Sequence, residues 1–84
     1  MRSINHVLRD PSGLHARIAA AIVAEAQRWE SDVTLISRGV RSDASDVMGL
    51  MLLDVREGDI VAFEVEGADE DEAAAALEQL VEGM

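Results

Sequence analysis

The chain contains no cysteine and no tyrosine, and only one tryptophan, one phenylalanine and one proline among its 84 residues. The absence of cysteine excludes disulfide cross-links, thiolate metal sites and thiol catalysis, and it is compatible with the cytoplasmic location that we expect. Because 49% of the residues are hydrophobic and so few are aromatic, the core must be aliphatic. No apolar run approaches the length of a membrane span and we expect no signal peptide, so we predict no stable membrane insertion.

Basic residues are scarce: seven Lys and Arg stand against seventeen Asp and Glu, for a formal net charge of −10. This charge argues against a nucleic-acid partner, because an acidic surface is repelled by the phosphate backbone. The acidic residues concentrate after Asp54, so a partner that docks on the N-terminal half meets a less acidic surface. Small size and high charge favour a monomer.

The hydrophobic pattern predicts seven elements along the chain. They are strands over residues 2–8, 33–36, 40–42 and 60–66, and helices over 16–27, 46–53 and 69–84. The order β-α-β-β-α-β-α in a single domain, residues 1–84, indicates an α+β fold of two layers. We predict an open-faced β-sandwich in which three helices cover one face of a four-stranded antiparallel sheet.

Three features of this pattern invite a functional interpretation, but the sequence favours a structural one. His6 lies in the first strand with no acidic or histidine neighbour at ligand spacing. Trp29 follows the first helix and is expected to anchor its end in the core. The run Asp69–Glu72 falls on the first turn of the third helix, where the helix dipole favours negative charge, and it lacks the glycine-bearing loop of a calcium site. We therefore expect no metal site.

A short motif, Gly13-Leu14-His15-Ala16-Arg17, opens the first helix directly after a turn over residues 10–13. The first N–H groups of a helix lack intrahelical partners and carry partial positive charge, so they can hold an anion. Arg17 adds a planar cation suited to phosphate, and Ser12 is placed to cap the helix or to reach His15. A nucleophilic imidazole beside an anion site is what a transient phosphohistidine requires. Taken alone, the motif is more typical of a capping or surface histidine.

The second predicted helix is apolar on nearly all sides. Its apolar residues are Val47, Met48, Leu50, Met51, Leu52 and Leu53. A short surface helix buries only one stripe, so several of these groups should remain exposed, and methionines can adapt to several partners. We interpret the helix as carrying a docking surface, with complete burial as the alternative.

Together, these features resemble the HPr family, the histidine phosphocarriers of the bacterial phosphoenolpyruvate-dependent phosphotransferase system. Besides the pentapeptide, the resemblance rests on Ser31-Asp32-Val33, Gly39, Ala44, Val47-Met48-Gly49-Leu50-Met51, Gly58, Gly67 and Asp69. The similarity extends over essentially the full length, and the joint spacing is far more specific than the pentapeptide.

The resemblance implies a phosphoryl relay that needs neither a cofactor nor a metal ion on this chain, for sugar uptake or for regulation linked to the system. Enzyme I would pass a phosphoryl group to Nδ1 of His15, which would pass it to a IIA-type domain. Arg17 would neutralise phosphoryl charge, and the backbone amides from Ala16 to Ile18 would hold its oxygens beside Ser12.

The resemblance also implies where the partners dock. The exposed side of the second helix, with Val47, Met48 and Met51, would contact both Enzyme I and the IIA-type domain. Ala20 and its neighbours on the first helix would complete this surface.

Two positions depart from the pattern of the family. Ile18 stands where a proline usually follows the arginine, so it supplies an N–H group and lets Arg17 adopt helical backbone angles. We expect altered partner rates or phosphohistidine stability. Asp46 stands where many members have a serine that a dedicated kinase phosphorylates. Aspartate cannot accept that phosphate, and it acts either as a helix N-cap or as a partial mimic of the inhibited form.

A second class of function remains open, an HPr-like regulatory protein that docks on enzymes or transcription factors without carrying phosphate. His15 and Arg17 favour the carrier, whereas Ile18 and Asp46 keep the regulator open. A small hydrolase is disfavoured, because a pair of Ser12 and His15 has no identifiable orienting acid.

Overall fold

The computed structural model describes all residues from Met1 to Met84 and has the predicted order of elements. The strands are β1 (Arg2–Val7), β2 (Asp32–Ser37), β3 (Val40–Asp43) and β4 (Ile60–Glu66). The helices are α1 (Ala16–Ala26), α2 (Val47–Leu52) and α3 (Glu70–Val81). No helix is both long enough and apolar enough to cross a membrane.

The four strands form one antiparallel sheet in the order β1-β4-β2-β3, and the helices pack against one face of it. Phe63 of the central strand β4 pairs with Ile4 on one side and with Leu35 on the other. All three side chains are buried, so they form an apolar row across three strands beneath the helices. The predicted open-faced sandwich is confirmed.

The core is aliphatic around Phe63, as the composition predicts. The buried residues of α1 recur at helical spacing and include Ile18, Ile22, Val23 and Ala26. On α3 the buried residues are Ala73, Ala74, Leu77 and Val81. Leu80 is only partly covered. Trp29 is half-buried after α1, where its Nε1 donates to Glu25.

Three residues of the predicted acidic run, Glu70, Asp71 and Glu72, lie in the first turn of α3, as predicted, but Asp69 has a different role. This residue occupies the N-cap position but makes no capping bond from its side chain. Its carboxylate instead accepts hydrogen bonds from the backbone N–H groups of Glu30 and Ser31, both at 2.9 Å, and from the Ser31 hydroxyl. These donors, Ser31 Oγ first, lower the pKa of Asp69. Asp69 therefore fastens the loop that enters β2.

The tip of the β2–β3 hairpin is connected to the end of α2. Arg38 and Gly39 both have positive φ values, +51° and +79°, the backbone that a two-residue turn of type I′ requires. The Arg38 guanidinium donates to the backbone oxygens of Leu53 and Asp54 at 3.1 and 3.0 Å. These carbonyls follow α2 and have no helical partner, so the arginine satisfies them.

The segment after α2 supports the turn that precedes α1. The N–H group of Leu14 donates to the backbone oxygen of Val55 at 2.9 Å, and Gly58 donates to Leu8 at 2.7 Å. Gly13, with φ +69°, packs directly on Val55, and a Cβ at this position would overlap the Val55 carbonyl oxygen. The turn before α1 is thus held against a fixed backbone.

Replacement of Gly13 by alanine tests this packing. We expect Gly13→Ala to lower the free energy of unfolding by at least about 2 kcal/mol, because it adds a backbone clash to the cost of a left-handed alanine. Gly58→Ala is the matched control, since Gly58 has φ +90° and open space around it, and it should cost about 1 kcal/mol. Urea unfolding measures both, and equal losses would contradict the packing argument.

Candidate functional site

His15 is the N-cap residue of α1. Its backbone is extended, with φ −83° and ψ 175°, and its side chain makes no capping hydrogen bond. The His15 backbone oxygen accepts the first bond of the helix, from the N–H group of Ala19 at 2.9 Å. The imidazole is therefore fixed at the helix terminus by its backbone and is not used to cap it.

Three backbone N–H groups at the start of α1 have no intrahelical partner. They belong to Ala16, Arg17 and Ile18, because Ala19 is the first residue whose N–H group bonds back within the helix. The Ile18 side chain is buried in the core, while its backbone remains in the first turn. The positive end of the helix dipole lies at these groups, so the arrangement can bind an anion beside His15.

The two polar side chains next to this terminus differ in their contacts. Arg17 is exposed and forms no hydrogen bond or ion pair within the protein, so its guanidinium is free to meet an anion. Ser12 is also exposed, and it contributes its backbone N–H group, not its hydroxyl, to a hydrogen bond. The prediction that Ser12 caps the helix or bonds to His15 is wrong, because His15 itself occupies the cap position.

A residue that the sequence did not point to, Asp10, contacts the His15 ring. Its Oδ2 lies 3.4 Å from Nε2 of His15, while its Oδ1 accepts the Ser12 N–H group at 2.8 Å. The two side chains are mostly shielded, with 28% of His15 and 24% of Asp10 exposed. Nδ1 of His15 has no hydrogen-bond partner in the protein. An acidic side chain that the sequence analysis did not single out therefore lies beside the His15 ring.

The Asp10 carboxylate is held in its charged form. The Ser12 N–H group is the largest influence lowering the pKa of Asp10, and His15 and Arg17 act in the same direction against partial burial. The available sequence signal was an aspartate two residues before a serine in a turn, a spacing that lets the side chain bond to the backbone.

The second helix exposes an apolar surface, as predicted. Met48, Met51 and Leu52, here called the α2 surface, are 66%, 40% and 80% exposed. Val47 is only partly exposed and packs against the core, and Leu52 was absent from the predicted docking residues. Ala20 is exposed on α1, which packs beside α2. The α2 surface therefore lies on the helix next to the one that His15 begins.

Asp46 is the N-cap residue of α2, but its side chain makes no capping hydrogen bond. Gly49 packs closely on this region, since a Cβ there would lie 2.6 Å from Ser42 Oγ and 2.9 Å from an Asp46 carboxylate oxygen. The Ser45 hydroxyl donates to Asp43 at 2.7 Å. Position 46 thus carries a carboxylate that makes no capping hydrogen bond, and it offers no hydroxyl group beside the α2 surface.

His6 lies in β1 on the inward face of the sheet, with a buried Nε2 that has no hydrogen-bond partner. Burial is the main cause that lowers the pKa of His6, and Arg9 contributes in the same direction. No carboxylate contacts this ring and it lies within a strand, so its surroundings differ from those of His15.

Comparison with known proteins gives a consistent result. A family model described as the PTS HPr component phosphorylation site matches residues 3–83. The chain is 35% identical to the phosphocarrier protein HPr of Mycoplasma genitalium and 36% identical to that of Mycoplasma pneumoniae. Each match spans 83 residues, 98% of this chain and 94% of the relative.

Two solved structures show the same fold. An HPr from Thermoanaerobacter tengcongensis superposes with a TM-score of 0.92 at 35% identity, over 99% of this chain and 93% of that one. The catabolite repression protein Crh of Bacillus subtilis superposes with a TM-score of 0.78 at 43% identity, over 89% of this chain and 86% of that one. The chain belongs to the HPr family of phosphocarriers of the phosphotransferase system, a membership that implies partners among the proteins of that system.

Proposed function

We propose that the chain accepts a phosphoryl group from phosphorylated Enzyme I on Nδ1 of His15 and passes it to a IIA-type domain. One observation carries the proposal: an imidazole whose Nδ1 has no partner lies at a helix terminus with three open N–H groups and a free arginine. Family membership supports the same reaction. The relay serves sugar uptake or regulation linked to the phosphotransferase system.

The groups around His15 have separate roles in this proposal. The amides of Ala16, Arg17 and Ile18 donate to the phosphoryl oxygens, and the Arg17 guanidinium opposes their charge. Ser12 lies at the rim of the site and forms its exposed edge. A carrier must release its phosphate, so a site built from amides and one arginine, without a metal or cofactor, suits a relay better than a tight clamp.

The α2 surface and Ala20 are proposed to dock both partners in turn. Exposed methionines can adapt to two different apolar surfaces, and their position beside α1 brings a partner close to His15. Val47, which is partly covered, supports the surface from beneath. We further propose that the protein is a monomer, since a net charge of −10 disfavours association between copies. We also propose that it is located in the cytoplasm.

Asp46 supports a carrier without the phosphorylated serine that the family resemblance implies at this position. The carboxylate at this position cannot accept a phosphate, and it places a permanent negative charge next to Met48. A second candidate follows from the same residue and from the likeness to Crh: a regulatory protein that docks on enzymes or transcription factors. The two candidates differ in whether His15 gains a phosphoryl group, because only the carrier requires it.

The first prediction concerns phosphorylation itself. Incubation with cognate Enzyme I and phosphoenolpyruvate should add one acid-labile phosphoryl group, seen by intact mass, and His15→Ala should abolish it. His6→Leu is the matched histidine control and should still be phosphorylated, because His6 Nε2 is buried without a partner. No gain in mass on the parent protein would reject the carrier and favour the regulator.

The second prediction concerns docking. Met48→Ala should lower kcat/KM for transfer from Enzyme I about tenfold, or ~1.4 kcal/mol, because it removes a large apolar contact at the centre of the surface. Ile60→Ala removes a similarly exposed side chain, 63% against 66%, from β4, and should leave kcat/KM unchanged. The steady-state rate of phosphotransfer measures both variants, and equal effects would exclude α2 as the docking surface.

A further inference from the structure

The carboxylate of Asp10 contacts His15 on the opposite side of the ring from the nitrogen proposed to react. Oδ2 lies 3.4 Å from Nε2, whereas Nδ1 has no partner within the protein. Contacts of this kind are often long in a resting protein and shorten when charge develops on the ring. Because both side chains are about three-quarters shielded, water screens the interaction only partly.

Asp10 is itself fixed in place from three directions. Its Oδ1 accepts the Ser12 N–H group at 2.8 Å, and its backbone oxygen accepts the Gly13 N–H group at 2.9 Å. Its own N–H group donates to the backbone oxygen of Met84 at 3.1 Å. One carboxylate oxygen thus orders the turn, and the other is left to meet the imidazole.

We propose that Asp10 is a positioning residue that holds His15 as the tautomer with its proton on Nε2, which leaves the lone pair of Nδ1 free to attack phosphorus. An acceptor at Nε2 favours a proton there, as in other sites where a carboxylate fixes the tautomer of a functional histidine. This inference rests on the proposed function of His15 as a phosphoryl acceptor.

The transfer step balances without moving this proton. The Nδ1 lone pair forms the new N–P bond while the bond between phosphorus and the donor atom breaks and returns its electron pair to the donor. The His15 ring becomes an imidazolium that still carries hydrogen on Nε2, and Asp10 opposes its positive charge. When a nucleophilic atom of the acceptor attacks phosphorus, the electron pair of the N–P bond returns to Nδ1 and the ring becomes neutral again.

Replacement of Asp10 by asparagine separates the roles of its two carboxylate oxygens. The Ser12 N–H group requires an acceptor, so the asparagine Oδ1 takes the place of the carboxylate Oδ1 and its NH₂ group faces the ring. An N–H donor at this position would bond to the Nε2 lone pair and favour the tautomer protonated on Nδ1, which cannot attack. The turn is preserved while the tautomer is reversed.

Nitrogen NMR of the His15 imidazole tests this independently of any partner. In the parent the neutral ring should carry hydrogen on Nε2, and Asp10→Asn should shift the population toward hydrogen on Nδ1. Asp32→Asn is the matched control: it makes the same change in charge at an exposed residue of β2, and it should leave the His15 spectrum unchanged. An unaltered tautomer in Asp10→Asn would overturn the inference.

Phosphorylation kinetics provide the second readout. With phosphoramidate, a small donor that releases ammonia and needs no docking surface, Asp10→Asn should be phosphorylated about ten- to hundredfold more slowly than the parent. With Enzyme I the loss should fall on kcat and leave KM unchanged. A rate within twofold of the parent would reject the role of Asp10. Failure of the parent with Enzyme I but not with phosphoramidate would instead reject the proposed relay.

Discussion

The hydrogen bond from the Leu14 N–H group to the Val55 backbone oxygen is the contact on which the site depends. It joins the turn before α1 to the segment after α2, and the absence of a side chain at Gly13 permits the close approach. Arg38 holds the other end of that segment through the carbonyls of Leu53 and Asp54. The position of His15 is therefore set by backbone contacts from a distant part of the chain.

The site combines a weak anion-binding arrangement with a charged ring partner. The open amides of α1 and the free Arg17 favour a phosphoryl group, whereas the Asp10 carboxylate and the net charge of −10 oppose additional negative charge. A relay protein benefits from this balance, since a phosphate that is bound too tightly cannot be passed on. The aspartate acts on the far ring nitrogen, where it stabilises the imidazolium without blocking Nδ1.

Much of the fold could be predicted because its signals are local. Alternation in β4 and helical spacing in α1 specify which side chains are buried, and the glycine of the β2–β3 hairpin specifies a turn. The predicted ends of the elements were less accurate. For example, α2 is two residues shorter than the predicted span over 46–53. Its end depends on Arg38 from another element, which no window of sequence contains.

The candidate site was predicted in outline, but its inner contacts were not. His15 and Arg17 could be recognised from their motif, and exposure of Met48 followed from an excess of apolar residues on a short helix. Asp10 was missed, and Asp69 was assigned to the helix dipole when its partner is Ser31, 38 residues away. Such pairings depend on how the turn and the loops fold back, information that residue spacing does not carry.

The central claim is that a phosphoryl group on Nδ1 of His15 is bound by the open amides of α1. Its most direct measurement is the pair of proton–nitrogen spectra of the protein before and after phosphorylation, with nitrogen–phosphorus coupling to assign the bonded ring atom. The account predicts coupling to Nδ1 and the largest amide proton shifts at Ala16, Arg17 and Ile18. Coupling to Nε2, or unchanged shifts at these three amides, would contradict it.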